Sequence, residues 1–393
     1  MKNLLFTFFL LVLLLVLGVA CETSKLTTTA IDELITIDIN DYYPADTIKW
    51  KDEIESIEYI ALETTKDFLC APGKIVAFND DIIIYSNYTF QDGINEGNSD
   101  IFIFDSKGKG LKKINRTGSS DTEYSYKTNV IYDDKAKELF IYDAILAKIF
   151  VYDLDGNFKR ILICPKYAMD DPMKWIQYND MQIFDDESII CYINSEFVDY
   201  PFSLISKRTG EKLQDIAIIP SKERTSPFIH TKGGRINIFF KNILASDPFI
   251  LKDSSSDTIY SFSLDRVLKP IAVQEPSVKE NKEHPIFLFP AVIENNYLML
   301  KFIRKGSASD EKKYEISLFL LDGQENKIYK SRGFPFILET DVTHSSKQNV
   351  RMNFEVFFTN RDIHESMAPQ LKELLSKRQE DDNPILRRVI FKK

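Results

Sequence analysis

Cysteine and histidine each occur only four times in 393 residues, tryptophan twice, glycine 14 times and proline 15 times. So little cysteine and glycine excludes a disulfide-stapled scaffold, a collagen-like repeat and a low-complexity chain. Basic charge is not in excess either: 50 Lys and Arg face 59 Asp and Glu, a net charge of −9, which argues against a nucleic-acid surface. Nucleophile elbows, P-loops and dinucleotide glycine fingerprints are missing. His230, His284, His344 and His364 stand far apart with no metal-ligand spacing. Apolar side chains, by contrast, make up 44% of the chain, and Tyr and Phe alone contribute 18 and 29 residues. That is enough to build a large core.

The N-terminus carries an address. Lys2 precedes an apolar run from Leu4 to Ala20 interrupted only by Thr7 and Gly18, the pattern of a secretory leader and slightly short for a permanent anchor. Leu17-Gly18-Val19-Ala20-Cys21 resembles a bacterial lipoprotein box, with Gly18 where Leu is usual. In such a box the chain is cleaved before the cysteine, whose sulfur is acylated, so the expected lipid attachment site is Cys21. Several acyl chains at about 0.8 kcal/mol per buried CH₂ hold a protein on a membrane without a transmembrane helix. A cleaved leader with an incidental Cys21 is the alternative. Cys164 and Cys191 lie in apolar stretches and read as small buried hydrophobes; one disulfide among Cys70, Cys164 and Cys191 stays open.

Beyond residue 31 the chain is a series of short Ile-, Phe-, Tyr-, Leu- and Val-rich strands parted by Asp, Asn, Gly and Ser. They come in pairs: Ile82–Tyr85 with Ile101–Asp105, Leu139–Asp143 with Ile149–Asp153, Ser188–Tyr192 with Phe202–Ser206, Pro248–Leu251 with Thr258–Phe262, and Tyr297–Leu300 with Ile316–Leu320. The second member often runs into a glycine turn, as in Asp105-Ser106-Lys107-Gly108 and Asp153-Leu154-Asp155-Gly156. The last of these superficially resembles a calcium loop but lacks its third oxygen ligand and distal Glu, so it reads as a hairpin turn. Strands such as Ile149-Phe150-Val151-Tyr152 are apolar on both faces, as strands covered on both sides must be. A repeat of about 50 residues with both faces covered predicts a β-propeller. The expected architecture is all-β and six-bladed, with Ile35–Ile39 and Ile57–Leu62 supplying the sixth blade; two separate β domains are the alternative.

The expected boundaries are a signal peptide over 1–20, a lipidated tether over 21–30, the propeller over 31–360, and a C-terminal helix plus closing strand over 361–393. The helix should start near Ser366-Met367-Ala368-Pro369 and bury Leu371, Leu374 and Leu375, before a strand from Ile385 to Phe391.

Ile57-Glu58-Tyr59-Ile60-Ala61-Leu62-Glu63-Thr64-Thr65, the loop Ile114-Asn115-Arg116-Thr117-Gly118-Ser119-Ser120-Asp121-Thr122-Glu123-Tyr124, and the tail Glu380-Asp381-Asp382-Asn383-Pro384-Ile385-Leu386 resemble, in this order, three segments of the six-bladed β-propeller lipoproteins of Bacteroidota-type bacteria. Ser120 and Asp121 stand where that family favours Gly and Pro. The resemblance implies an NHL- or TolB-like propeller on an envelope lipoprotein, in a family mostly without assigned activity. Asp46-Thr47-Ile48 and Asp257-Thr258-Ile259 resemble the short O-glycosylation signal of such bacteria.

No catalytic, metal-binding or cofactor-binding residue stands out, and no cofactor is expected. Asp80-Asp81, Asp133-Asp134 and Asp185-Asp186-Glu187 precede inner strands at equivalent repeat positions, which points to turn chemistry. The expected function is a non-catalytic cell-envelope lipoprotein, most readily on the outer membrane, whose propeller binds an envelope protein or glycan. The membrane is engaged through the N-terminal lipid, and nucleic acid is no partner. Asn87–Asp100, Pro165–Asp180 and Arg304–Glu311 are candidates to line a mouth. The alternative is a hydrolase or lyase acting on a glycan, lactone or peptide in the central channel, which calls for converging carboxylates or histidines.

Overall fold

A computed structural model describes residues 33–45, 54–71, 73–88, 99–165, 176–219, 228–231, 234–237, 241–280, 286–294, 297–305, 314–323, 325–331, 343–344, 351–357, 369–379 and 381–392. Cys21, the leader and the tether lie outside them. The described residues form an all-β propeller of six sheets with four or five strands each, together with one two-stranded hairpin.

Each of the five predicted strand pairs is antiparallel and forms the middle of a sheet. The first sheet runs Gly73–Phe78, Ile82–Asn87, Ile101–Asp105, Gly110–Ile114 from the inside out. The second runs Lys127–Asp133, Glu138–Asp143, Lys148–Asp153, Phe158–Ile163, and the third Asp180–Ile183, Ser188–Tyr192, Phe202–Ser206, Lys212–Ile216. The fourth begins at Ile243–Leu244, the fifth at Ile286–Glu294 and the sixth at Thr343–His344.

The lack of polar alternation has a direct structural cause. Leu139 and Ile141 pack with the first sheet's Ile84, Ile101 and Ile103, whereas Phe140 and Tyr142, on the other face of the same strand, pack with the third sheet's Met181, Ile189 and Cys191. Ile190 and Tyr192 then meet Ile243, Phe249 and Leu251 of the fourth sheet. Successive residues of one strand thus fill two different cores, and each buried Leu, Ile or Phe contributes about 1.5–3 kcal/mol. Cys164 and Cys191 serve as core hydrophobes, and burial pushes the Cys164 thiol up to about 12.

The sixth sheet departs from the expected pairing. Ile54–Ala61 does not join Ile35–Asp38; it pairs with Ile385–Phe391, which in turn pairs with Arg351–Phe357. Ile35–Asp38 instead lies parallel to Leu268–Glu275 as a fifth strand on the fourth sheet. The physical reason is ring closure: a strand near the chain start completes the sheet made by the chain end. The closing strand is accordingly an integral strand of the sixth sheet. The helix spans Pro369–Ser376 with proline in its first turn, and Leu371 and Leu375 pack on Ile385 beside Tyr59 and Ala61.

Candidate functional site

Strand direction sorts the connections into two faces. Fourth-to-first and second-to-third connections leave on one face, first-to-second and third-to-fourth connections on the other. All three long segments singled out in the sequence, Asn87–Asp100, Pro165–Asp180 and Arg304–Glu311, bridge strands on the first face, where the inner strands begin. We call it the mouth. Most of their interior residues lie outside the described set.

At the mouth, the first residues of adjacent inner strands meet. Lys74 Nζ donates to Asn129 Oδ1 at 2.8 Å. Lys127, 3% exposed, donates to Ser86 Oγ at 2.7 Å and to the carbonyl oxygen of Asn87. The inner strand carrying Lys127 and Asn129 has a register shift between them, so Thr128 is the extra residue; its Oγ1 donates to Tyr142 O and accepts from Ala144 N. Burial beside Lys74 holds the Lys127 ammonium down at about 7. Further round, Asp180 accepts from the backbone N–H groups of Asn242 and Ile243 at 3.0 and 2.9 Å. Desolvation pushes its carboxyl up, against those two donors and the charges of Lys241 and Lys74.

Next to this ring, Tyr192 donates to Asp253 Oδ1 at 2.8 Å, and Asn242 Nδ2 donates to Lys252 O at 2.6 Å. Lys252 is 1% exposed and donates to Asp253 O and to the carbonyl oxygen of Ser256; burial lowers it to about 8. This network cross-links the third and fourth sheets and leaves its ammonium out of solvent's reach.

The predicted carboxylate pairs sit on the opposite face. They lie between the inner and second strands, one strand later than expected. Asp185 Oδ1 accepts from Glu187 N and Ser188 N, capping its own turn. Asp134 accepts from Asn79 Nδ2 at 2.6 Å, and Asp133 forms a buried ion pair with Lys207 across the second and third sheets. These are structural bonds between neighbouring sheets. The Asp-x-x-Gly turns are as read: Asp105 Oδ1 accepts from Lys107 N and Lys109 N, and Gly108 has φ +88°. Asp257 of the second glycosylation-like tripeptide accepts from Ser277 Oγ and Val278 N at 2.7 Å, holding a connection in place; the first tripeptide lies outside the described residues.

Among the described residues no three His, Cys, Asp or Glu side chains come together as a metal site. His230 and His344 lie on strands Phe228–Thr231 and Thr343–His344, while His284 and His364 lie outside the described residues. The described mouth thus brings together lysines (Lys74, Lys127), amides (Asn87, Asn129) and the carboxylate of Asp180. Sequence reading passed over Lys74 and Lys127. The available signal was their shared position, a lysine opening an apolar inner strand in consecutive repeats (Gly73-Lys74-Ile75-Val76 and Tyr126-Lys127-Thr128-Asn129-Val130).

No curated protein matches the chain. Among solved structures, a putative exported protein from Bacteroides fragilis aligns with a TM-score of 0.61 at 14% identity, covering 92% of this chain and all of that one. A member of the DUF4221 family from Bacteroides vulgatus aligns with a TM-score of 0.50 at 12% identity, covering 86% of this chain and 97% of that one. At such identities the likeness concerns the fold. The sequence profile of the domain of unknown function DUF4934 matches residues 34–389, and the chain belongs to that family.

Proposed function

We propose that the protein is an exported lipoprotein, anchored through Cys21, whose propeller is a non-catalytic scaffold that binds an envelope protein or glycan at the mouth face. The leader and the Leu17–Cys21 segment support the address, as does the likeness to a putative exported protein. On this reading the six sheets close as six blades.

One observation carries the binding assignment. Large apolar side chains stand in water on the mouth face: Ile145 and Leu146 between the second and third strands of the second sheet, and Phe197 and Tyr200 in the same connection of the third. Ile163, at the end of an outer strand, and Ile219, just beyond one, join them at 55% and 81% exposure. Several large apolar side chains exposed on one face of neighbouring sheets support an interaction surface there.

Two experiments test this. The intact mass of membrane-extracted protein should equal the chain from Cys21 onward plus acyl groups, and Cys21→Ala should lose the acyl mass; an unacylated wild-type chain contradicts the anchor. Ile145→Glu with Phe197→Glu should abolish co-purification of the partner, while Leu264→Glu with Val267→Glu on the opposite face should not. Retention of the partner by the first pair contradicts the binding face.

A further inference from the structure

The mouth contains a small pocket of about 30 Å³, lined by Lys74, Ser86, Asn87, Tyr88, Lys127 and Thr128 among others. That is room for one or two water-sized groups, so it suits a single functional group at the end of a larger ligand. Asn87 is 1% exposed. Its Oδ1 accepts from Ala71 N at 3.1 Å, its own N–H donates to Asp100 O at 3.1 Å, and its carbonyl oxygen receives Lys127. Its Nδ2 is buried with no partner among the described residues. Turning the amide over would set Nδ2 against the Ala71 N–H, so the orientation is fixed and the spare group is a donor.

Two ammonium groups line the same pocket, and their mutual repulsion is one cause of the lowered proton affinity of Lys127. Asp100 favours the charged form of Lys127, and Asp180 lies within the field of Lys74, while each carboxylate keeps hydrogen bonds of its own. Asp100 accepts from Asn115 Nδ2 at 2.8 Å and lies 3.9 Å from Lys113 Nζ; Asp143, opposite Lys127 in register, accepts from Ser125 and Tyr126. The pocket therefore offers a buried amide N–H and two cations to one small ligand group, a combination that suits an anion.

We propose that this pocket binds an oxyanion group, a carboxylate, sulfate or phosphate, through Asn87 Nδ2 and the ammonium groups of Lys74 and Lys127. This rests on the mouth being the binding face and names the chemistry the ligand presents there. An acidic sugar and a sulfated or phosphorylated glycan are the two sources of such a group.

Charged Lys127 is the binding form. Affinity should be full below about pH 7 and fall by up to about tenfold per pH unit above it, with proton uptake on binding. Around it, Lys74 opposes and Asp100 favours the charged form; Ser86 and Asn87 on the neighbouring strand and Asn129 on its own are neutral, and Tyr88 also lines the pocket.

The test is calorimetric titration of the full-length, detergent-extracted protein with glucuronate, sulfate, phosphate and acetate at matched sodium chloride, at pH 6 and pH 8. Saturable binding should appear, weaker at pH 8, and Asn87→Asp and Lys127→Met should each weaken it at least about tenfold while unfolding cooperatively. Asn87→Asp keeps the oxygen that receives Ala71 N and puts a carboxylate oxygen where the anion would sit. Preference for glucuronate over sulfate and phosphate points to an acidic sugar, and the reverse to a sulfated or phosphorylated one; either supports the site. Absence of saturation, or equal binding by wild type and Asn87→Asp, overturns the pocket. The face reading falls separately, by retention of the partner in Ile145→Glu with Phe197→Glu.

Discussion

Asn383 Oδ1 accepts a hydrogen bond from Cys70 N at 2.7 Å, joining residues 313 apart in the chain. The same side chain donates through Nδ2 to Glu63 O and Phe68 O, both at 2.6 Å, and Asn383 N donates to Thr64 Oγ1 at 2.9 Å. One buried amide thus ties the segment after Ile54–Ala61, the outermost strand of the sixth sheet, to the segment before its neighbour Ile385–Phe391. This gives a physical meaning to two of the sequence segments that marked the family resemblance: Leu62-Glu63-Thr64 and Asp382-Asn383-Pro384 are the two sides of the ring closure.

Asn383→Ala should therefore destabilise the fold by about 2–4 kcal/mol, since it leaves a buried N–H and two carbonyls without their partner. Asn383→Asp should cost at least as much, because it sets an oxygen against two carbonyl oxygens. Urea midpoints of the three proteins check both. An Ala variant within about 0.5 kcal/mol of wild type would show that the closure does not depend on this residue.

A second tie joins the second and third sheets through Lys207 and Asp133, at 6% and 4% exposure. Lys207→Met removes a charge and strands its partner, with an expected cost of about 3–5 kcal/mol. Adding Asp133→Asn should recover part of this, because the stranded charge is then gone. A double-mutant cycle by urea unfolding measures the recovery; strict additivity would contradict a coupled pair.

Buried lysines set the pH dependence. Lys127 titrates at about 7 in the fold and at about 10.4 in an unfolded chain, so between those values the unfolded state binds the extra proton. Stability should rise with pH across that window, by up to about 1.4 kcal/mol per unit, with the burial penalty fully present below about pH 7. Lys252 adds the same trend above about pH 8. Urea midpoints at pH 6, 7 and 8, below the range where the buried thiols of Cys70, Cys164 and Cys191 oppose the trend, should climb in wild type and climb less in Lys127→Met.

Gly108 and Gly156 occupy matching turns at φ +88° and +77°, yet their surroundings differ. A Cβ on Gly108 would lie 2.4 Å from Ala61 O, whereas one on Gly156 would meet nothing closer than 3.4 Å. Gly156→Ala should cost about 1–2 kcal/mol for the left-handed backbone alone. Gly108→Ala should cost about 3 kcal/mol or more, because the Ala61 carbonyl ends the strand Ile54–Ala61, which is held in register by Ile385–Phe391, and resists displacement. Equal thermal midpoints for the two variants would contradict this ranking.

The strand pairs were legible because local patterning encodes them: Leu139–Asp143 and Ile149–Asp153 are parted by a short turn and buried on both faces. The partner of Ile54–Ala61 was not, because nothing in eight residues specifies a strand more than 300 positions away. Its nearest strand-like neighbour, Ile35–Asp38, looked equally suitable and belongs to another sheet. The mouth was illegible for a different reason. A lysine at the start of a strand reads as a solvated end; only the neighbouring sheet, with the Ser86 hydroxyl and the Asn87 carbonyl, turns Lys127 into a buried cation.

The most direct test of the mouth as the binding face is site-specific photo-crosslinking in the native envelope. Photoreactive side chains would replace Phe197 and Leu146 on the mouth face, and Asp155 and Arg208 on the opposite face. Partner adducts from Phe197 and Leu146 alone are the expected result. Adducts from Asp155 and Arg208 with none from the mouth would contradict the assignment.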